Sequence, residues 1–236
     1  MNVFSFCLYG PYNERYYPGM IQNIQLIHKH FPGWVIYVYV GSDVTTEMIG
    51  RLQSAPQVIV RFTGITGIVN MIHRFFAIDE PGVDVMFVRD ADSRIHSRDR
   101  WAIRRFLESP YLAHTIRDHI KHDSRIMGGL WGIRKLAGIN IHEQYALYEA
   151  NPQNFGMAWD QDFLSSRIFP LVAPTLLAHI GRGPSFPLEK VEPFPTPWTD
   201  DVYCGKIERA DYKEEGSGGN KKLNLPVVRF NFLSRR

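Results

Sequence analysis

The chain has 236 residues, 44% of them hydrophobic and 22% charged, which is too apolar for disorder and long enough to bury one sizeable core. Its formal charge of +3 comes from the end of the chain, where Lys221, Lys222, Arg229, Arg235 and Arg236 occur without an acid, leaving 22 of the 27 basic residues against 24 acidic ones. That balance excludes the clustered basic footprint of a nucleic-acid-binding protein.

Cys7 and Cys204 are the only cysteines, so neither a disulfide framework nor a CxxC metal site is expected, and a reducing compartment fits. The first residues lack a basic leader pattern, and no run approaches the roughly 18 apolar residues of a membrane span. The expected location is cytoplasmic, with peripheral contact to acidic lipid open through the basic tail.

In chain order, Val3 to Tyr9 is an apolar, β-branched and aromatic run closed by Gly10-Pro11, which reads as a buried strand and its loop. Met20, Ile21, Ile24, Ile27 and Phe31 fall near helical spacing, and Pro32-Gly33 ends that helix before a second strand from Trp34 to Val40. A helix capped by Ser42 or Asp43, a strand from Val58 to Phe62, a helix from Thr66 to Ile78 and a strand from Val83 to Val88 follow. Next come a helix from Ser97, strands from Leu112 and near Met127, and helices around Asn140 to Glu149 and Trp159 to Ile168. This alternation predicts an α/β fold with a mainly parallel central sheet and helices on both faces. The last third is Pro-rich from Pro184 to Pro197, and Gly216-Ser217-Gly218-Gly219 reads as a hinge. The expected organisation is one domain over 1–210, then the hinge and basic tail over 211–236.

The most informative stretch is Arg89-Asp90-Ala91-Asp92-Ser93-Arg94 at the end of the fourth strand. Two acids two residues apart can converge on one hard cation when the chain turns. A blander reading has them cap the next helix or pair with Arg89 and Arg94. Their place at the carboxyl end of a core strand, where such sheets bind ligands, favours a site for metal and diphosphate.

These residues, followed in order by Ile116-Arg117-Asp118-His119, Met127-Gly128-Gly129-Leu130-Trp131-Gly132 and Asp160-Gln161-Asp162-Phe163-Leu164, resemble the GT-A glycosyltransferases, in particular a group of small bacterial and large-DNA-virus proteins. The resemblance covers about residues 3 to 205. It implies a single GT-A (Rossmann-like) domain, a divalent cation (Mn²⁺ or Mg²⁺), a nucleotide-diphosphate sugar as donor and a glycan or related hydroxyl as acceptor. By the same resemblance Asp92 binds the metal directly and Asp90 contacts metal, ribose or sugar. A late histidine often completes the coordination, and His179 follows an apolar run at a strand end. A hydrogen-bonded core histidine is the alternative there, and Ile180 stands where related sequences often carry an acid.

Further site candidates combine the residues' own chemistry with what the resemblance implies. The glycines Gly128 and Gly129 would let a sugar or diphosphate approach the backbone closely, although a turn would use them too. By resemblance to the acidic motif of inverting GT-A enzymes, Asp160 or Asp162 is the candidate general base, with Asp160 preferred and helix capping as the plain alternative. Tyr9 and Gly10 end the first strand, where the resemblance to GT-A folds puts the base and ribose; Arg74 precedes the Asp-x-Asp strand, where the same resemblance implies a basic residue that reaches the nucleotide. Arg117, Asp118 and His119 are a polar cluster expected near the same cleft, and Phe186, Phe194 and Trp198 offer aromatic faces to an acceptor. Two other functions compete. A sugar-phosphate nucleotidyltransferase would need a Gly-rich basic loop, where this chain has Gly10-Pro11-Tyr12-Asn13-Glu14-Arg15; a nucleotide-sugar or glycan-binding module would bind without turnover.

Overall fold

The computed structural model describes residues 1–149 and 158–208. The hinge and basic tail expected beyond 210 lie outside the described residues. Along the chain run β1 (Asn2–Leu8), α1 (Tyr16–His30), β2 (Val35–Val40), α2 (Thr46–Ser54), β3 (Val58–Phe62), a 3₁₀ segment (Ile68–Asp79), β4 (Val85–Arg89), α3 (Ser97–Glu108), β5 (Ala113–Arg117) and β6 (Leu130–Arg134). Then come α4 (Ile141–Glu149), α5 (Trp159–Phe163), a π-helical turn (Leu164–Ile168), α6 (Phe169–Val172), β7 (Leu176–Ile180) and β8 (Lys190–Pro193).

The strands form one sheet in the order β3-β2-β1-β4-β6-β5-β7-β8. All neighbours are parallel except at β6, which runs antiparallel to both β4 and β5. The expected mainly parallel α/β domain is therefore present. Because strand side chains alternate between faces, β1 sends Val3 and Cys7 into one core and Phe4, Phe6 and Leu8 into the other. In β4, Met86 and Val88 oppose Val85 and Phe87 in the same way. Near-continuous apolar runs are thus explained by burial on both faces.

Local details depart from the sequence expectation. Thr45 caps α2, its Oγ1 accepting from the Met48 N–H at 3.4 Å, while Asp43 accepts from the Gly67 N–H at 2.9 Å. The segment before β4 is 3₁₀ rather than α-helical; its β-branched and aromatic residues are weak helix formers. The helix from Trp159 widens into a π turn at Leu164–Ile168, next to Pro170, which has no N–H to give to the preceding turn. The Pro-rich segment contributes an unexpected edge strand, β8, whose proline is tolerated because an edge needs fewer ladder donors. No helix among the described residues is long and apolar enough to cross a membrane.

Candidate active site at the carboxyl end of β4

β4 is buried along its whole length and ends on Arg89. Arg89 is locked by an ion pair to Asp99 at 2.8 Å and by donating to the Trp131 carbonyl at 3.2 Å. Arg89 is therefore a structural anchor for the turn that follows, not a partner of the two acids. The turn is also held from α1: Asn23 Nδ2 donates to the Ser93 carbonyl at 2.8 Å, and Arg94 Nε donates to Gln22 Oε1 at 2.6 Å. Local sequence thus aims the strand, and side chains from α1 and α3 fix where its two acids emerge.

They emerge into a cleft of ≈ 280 Å³ whose lining includes Cys7, Tyr9, Arg74, Asp90, Asp92, Gly128, Gly129 and Asp160. Arg74 comes from the 3₁₀ segment, with its side chain only 6% exposed, and bridges two carboxylates: Nη1 pairs with Asp90, and Nη2 donates to Asp160 Oδ2 at 2.9 Å. Burial opposes the Arg74 charge, but Asp90 and Asp160 outweigh it, so the guanidinium is held firmly protonated. The Asp160 side chain is 4% exposed, whereas Asp90 is 40% exposed and faces the opening.

Asp92 is buried, and its Oδ2 accepts from Arg15 Nε at 2.6 Å. Desolvation, and then the neighbouring charge of Asp90, raise its carboxyl above the ordinary range, with Arg15 opposing the rise. Three carboxylates thus meet two guanidiniums, and the surplus of negative charge makes the opening attractive to a cation. The Cys7 thiol is pushed up to about 12 by burial, so it contributes a neutral wall.

The glycines of the opposite wall are there for space. A Cβ on Gly129 would overlap the Asp90 carboxylate, and one on Gly128 would lie 2.7 Å from Asp160 Oδ2. Tyr9 lines the cleft; Gly10 does not, and its carbonyl instead accepts from the Tyr17 hydroxyl at 2.8 Å.

The expected third ligand, His179, is not brought to this pair. Its ring is fully buried in β7, 2.9 Å from His114 Nε2 through Nδ1 and edge-on to Trp101. Among the described residues no three His, Cys, Asp or Glu side chains are grouped to hold a metal. Asp162 is exposed on the helix that buries Asp160 and does not line the cleft. Arg117 and Asp118 serve the core instead, in buried pairs with Glu189 and with Arg98 at 2.5 Å. His119 stacks on Tyr203, with ring centroids 4.5 Å apart. Of the aromatic candidates, Phe186 and Phe194 lie under the guanidiniums of Arg117 and Arg98, and Trp198 lies under Arg182. Arg15 had no motif to announce it, because Arg89 and Arg94 beside the two acids balance their charge in the sequence.

No family model matches the chain, and no curated protein matches it by sequence. Solved structures do match in shape. A glycosyltransferase involved in glycosylation of the major capsid of PBCV-1 is similar with a TM-score of 0.54 at 15% identity, over 76% of this chain and 81% of that one. The galactosyltransferase LgtC, in complex with donor and acceptor sugar analogues, gives 0.52 at 9% identity over 76% and 73%. A glucose-1-phosphate thymidylyltransferase from Bacillus anthracis gives 0.51 at 12% identity over 75% and 86%. At these identities the likeness is one of fold: the chain has the α/β architecture of GT-A glycosyltransferases, which sugar-nucleotide-forming enzymes share.

Proposed function

We propose that the protein is a metal-dependent glycosyltransferase that moves a sugar from a nucleotide-diphosphate donor to a hydroxyl of a glycan or related acceptor. The observation that carries this reading is the meeting of Asp90, Asp92 and Asp160 in one cleft at the carboxyl end of β4, opposite a wall of two glycines. Asp90 and Asp92 suit Mn²⁺ or Mg²⁺, which take oxygen ligands and are commonly held by one or two carboxylates together with substrate phosphates. Two protein carboxylates therefore suffice, and His179 is not needed. When bound, such a cation neutralises charge developing on the leaving diphosphate.

Arg74 pairs with both Asp90 and Asp160 and orients them at the cleft wall. Gly128 and Gly129 leave room for the donor sugar, and Tyr9 offers a ring to the base. Asp160 faces the cleft and is the residue to accept the acceptor's hydroxyl proton in an inverting transfer; the exposed Asp162 is not. Nucleotidyl transfer is the second reading, favoured by the fold likeness to the thymidylyltransferase. Pyrophosphate release from a nucleoside triphosphate and a sugar 1-phosphate would identify it.

The test is a thermal-shift panel of UDP, GDP, CDP and dTDP sugars with Mn²⁺, Mg²⁺ or chelator, on wild type and Asp92→Ala. A donor at 100 times its Kd stabilises by about 2.7 kcal/mol. A cation-dependent shift with one nucleotide, lost in Asp92→Ala, supports the reading, and transfer assays with that nucleotide then separate an enzyme from a binding module. No shift with any donor, or an undiminished shift in the variant, overturns the site. The cytoplasmic, membrane-touching reading of residues 221–236 is tested separately: salt-sensitive pelleting with anionic liposomes must disappear when Lys221 to Arg236 is deleted.

A further inference from the structure

Arg15 is half-exposed, on the loop between β1 and α1, yet it makes a two-pronged ion pair with the buried Asp92: Nε to Oδ2 at 2.6 Å, and Nη2 on the same oxygen. Its backbone is placed by Asn13, whose Oδ1 accepts the Arg15 N–H at 2.9 Å. The neighbouring Tyr16 lines the cleft, and its ring lies under the Arg15 guanidinium. Two features set Arg15 apart from Arg74. Its side chain is 43% exposed where that of Arg74 is 6% exposed, and it binds one carboxylate where Arg74 bridges two. Of the two guanidiniums that pair with the cleft's carboxylates, Arg15 is therefore the one that can leave.

We propose that Arg15 is an exchangeable counter-ion: it holds Asp92 while no divalent cation is bound, gives up that carboxylate to the cation, and then pairs with the donor's diphosphate. The inference rests on the cation-and-donor reading of the same cleft. Its logic is that a divalent cation on Asp92 and the Arg15 guanidinium are two positive charges competing for one carboxylate, so each weakens the hold of the other. The released fork, still tethered at the mouth of the cleft, matches two phosphate oxygens. Arg15 thus penalises the cation when it arrives alone and favours the cation that arrives with a nucleoside diphosphate.

The test uses the full-length chain as wild type, Arg15→Met, Arg15→Lys and Asp92→Ala. Free Mn²⁺ is titrated by electron paramagnetic resonance, and UDP, GDP, CDP and dTDP binding is measured by calorimetry at saturating Mn²⁺. In Arg15→Met, Mn²⁺ alone should bind roughly three- to tenfold more tightly and the preferred diphosphate roughly tenfold more weakly. Arg15→Lys, which keeps the charge but not the fork, should recover only part of the diphosphate affinity. Equal or weaker Mn²⁺ binding in Arg15→Met, or unchanged diphosphate affinity, overturns this inference alone. Mn²⁺ binding that never exceeds the Asp92→Ala level in any variant overturns the cation reading, and this inference with it.

Discussion

One methyl group added at Gly129 and one at Gly132 separate the two reasons for glycine around the start of β6. At Gly132 the methyl would lie 2.6 Å from Phe87 Cδ1 and 2.8 Å from the Met86 carbonyl oxygen, where ordinary contact begins at 3.4 Å. Phe87 is fully buried and Met86 belongs to β4, paired with Ile133, so neither yields freely, and such overpacking costs about 1–3 kcal/mol. At Gly129 the three atoms nearest the methyl all belong to the Asp90 carboxylate, on a side chain exposed enough to turn toward solvent. What is lost is the Asp90 pairing with Arg74, which contributes about 1 kcal/mol or less with one partner this exposed. In urea unfolding, Gly129→Ala should therefore stay within about 1 kcal/mol of wild type, and Gly132→Ala should fall by about 1–3 kcal/mol. Function should reverse the order, because a displaced Asp90 no longer faces the cation: Mn²⁺-dependent nucleoside diphosphate binding should weaken at least about tenfold in Gly129→Ala and stay near wild type in Gly132→Ala. A Gly129→Ala protein that unfolds as easily as Gly132→Ala and binds diphosphate normally would refute this assignment.

Three other outcomes are expected. Once donor and acceptor are identified, Asp160→Asn should lower transfer by about 10²–10⁴-fold, while Asp162→Asn stays within about twofold; equal effects would sink the choice of base. Arg117 and Glu189 are both fully buried as a pair, so Glu189→Ala should lose about 3–5 kcal/mol in urea unfolding, and a loss below about 1 kcal/mol would show that Arg117 finds another anion. Burial lowers His122 and His179 to about 4, below the unfolded value of about 6.5. The unfolded chain then takes up protons that the folded one excludes, so stability is full above about pH 6.5 and falls as pH drops toward about 4. His179→Gln should flatten part of that slope, and an unchanged slope would contradict the burial of that ring.

The strands and helices that build the sheet are written locally. Short β-branched apolar runs such as Val35–Val40 and Val85–Val88, bounded by turn residues, read as strands buried on both faces, and Pro32-Gly33 marks the end of α1 without reference to any distant residue. Asp90, Asp92, the glycine pair and Asp160 were legible as candidates because short polar or glycine motifs at strand and helix ends stand out against that apolar background. The choice between Asp160 and Asp162 was barely legible, since two residues apart on one turn they differ only in which side of α5 meets the cleft.

Tertiary structure decided the rest. Nothing local tells that β6 inserts antiparallel between β4 and β5, yet that insertion brings Gly129 against Asp90. Arg74 meets Asp160 across 86 residues of sequence, and Arg15 meets Asp92 across 77; a charge declares no partner in a linear pattern, because pairing depends on distance and burial. For the same reason His179, well placed at a strand end, turned inward to His114, and Arg117 and Asp118 turned to Glu189 and Arg98. Periodicity reports which face of an element is buried, and only the packed fold reports which charges that burial brings together.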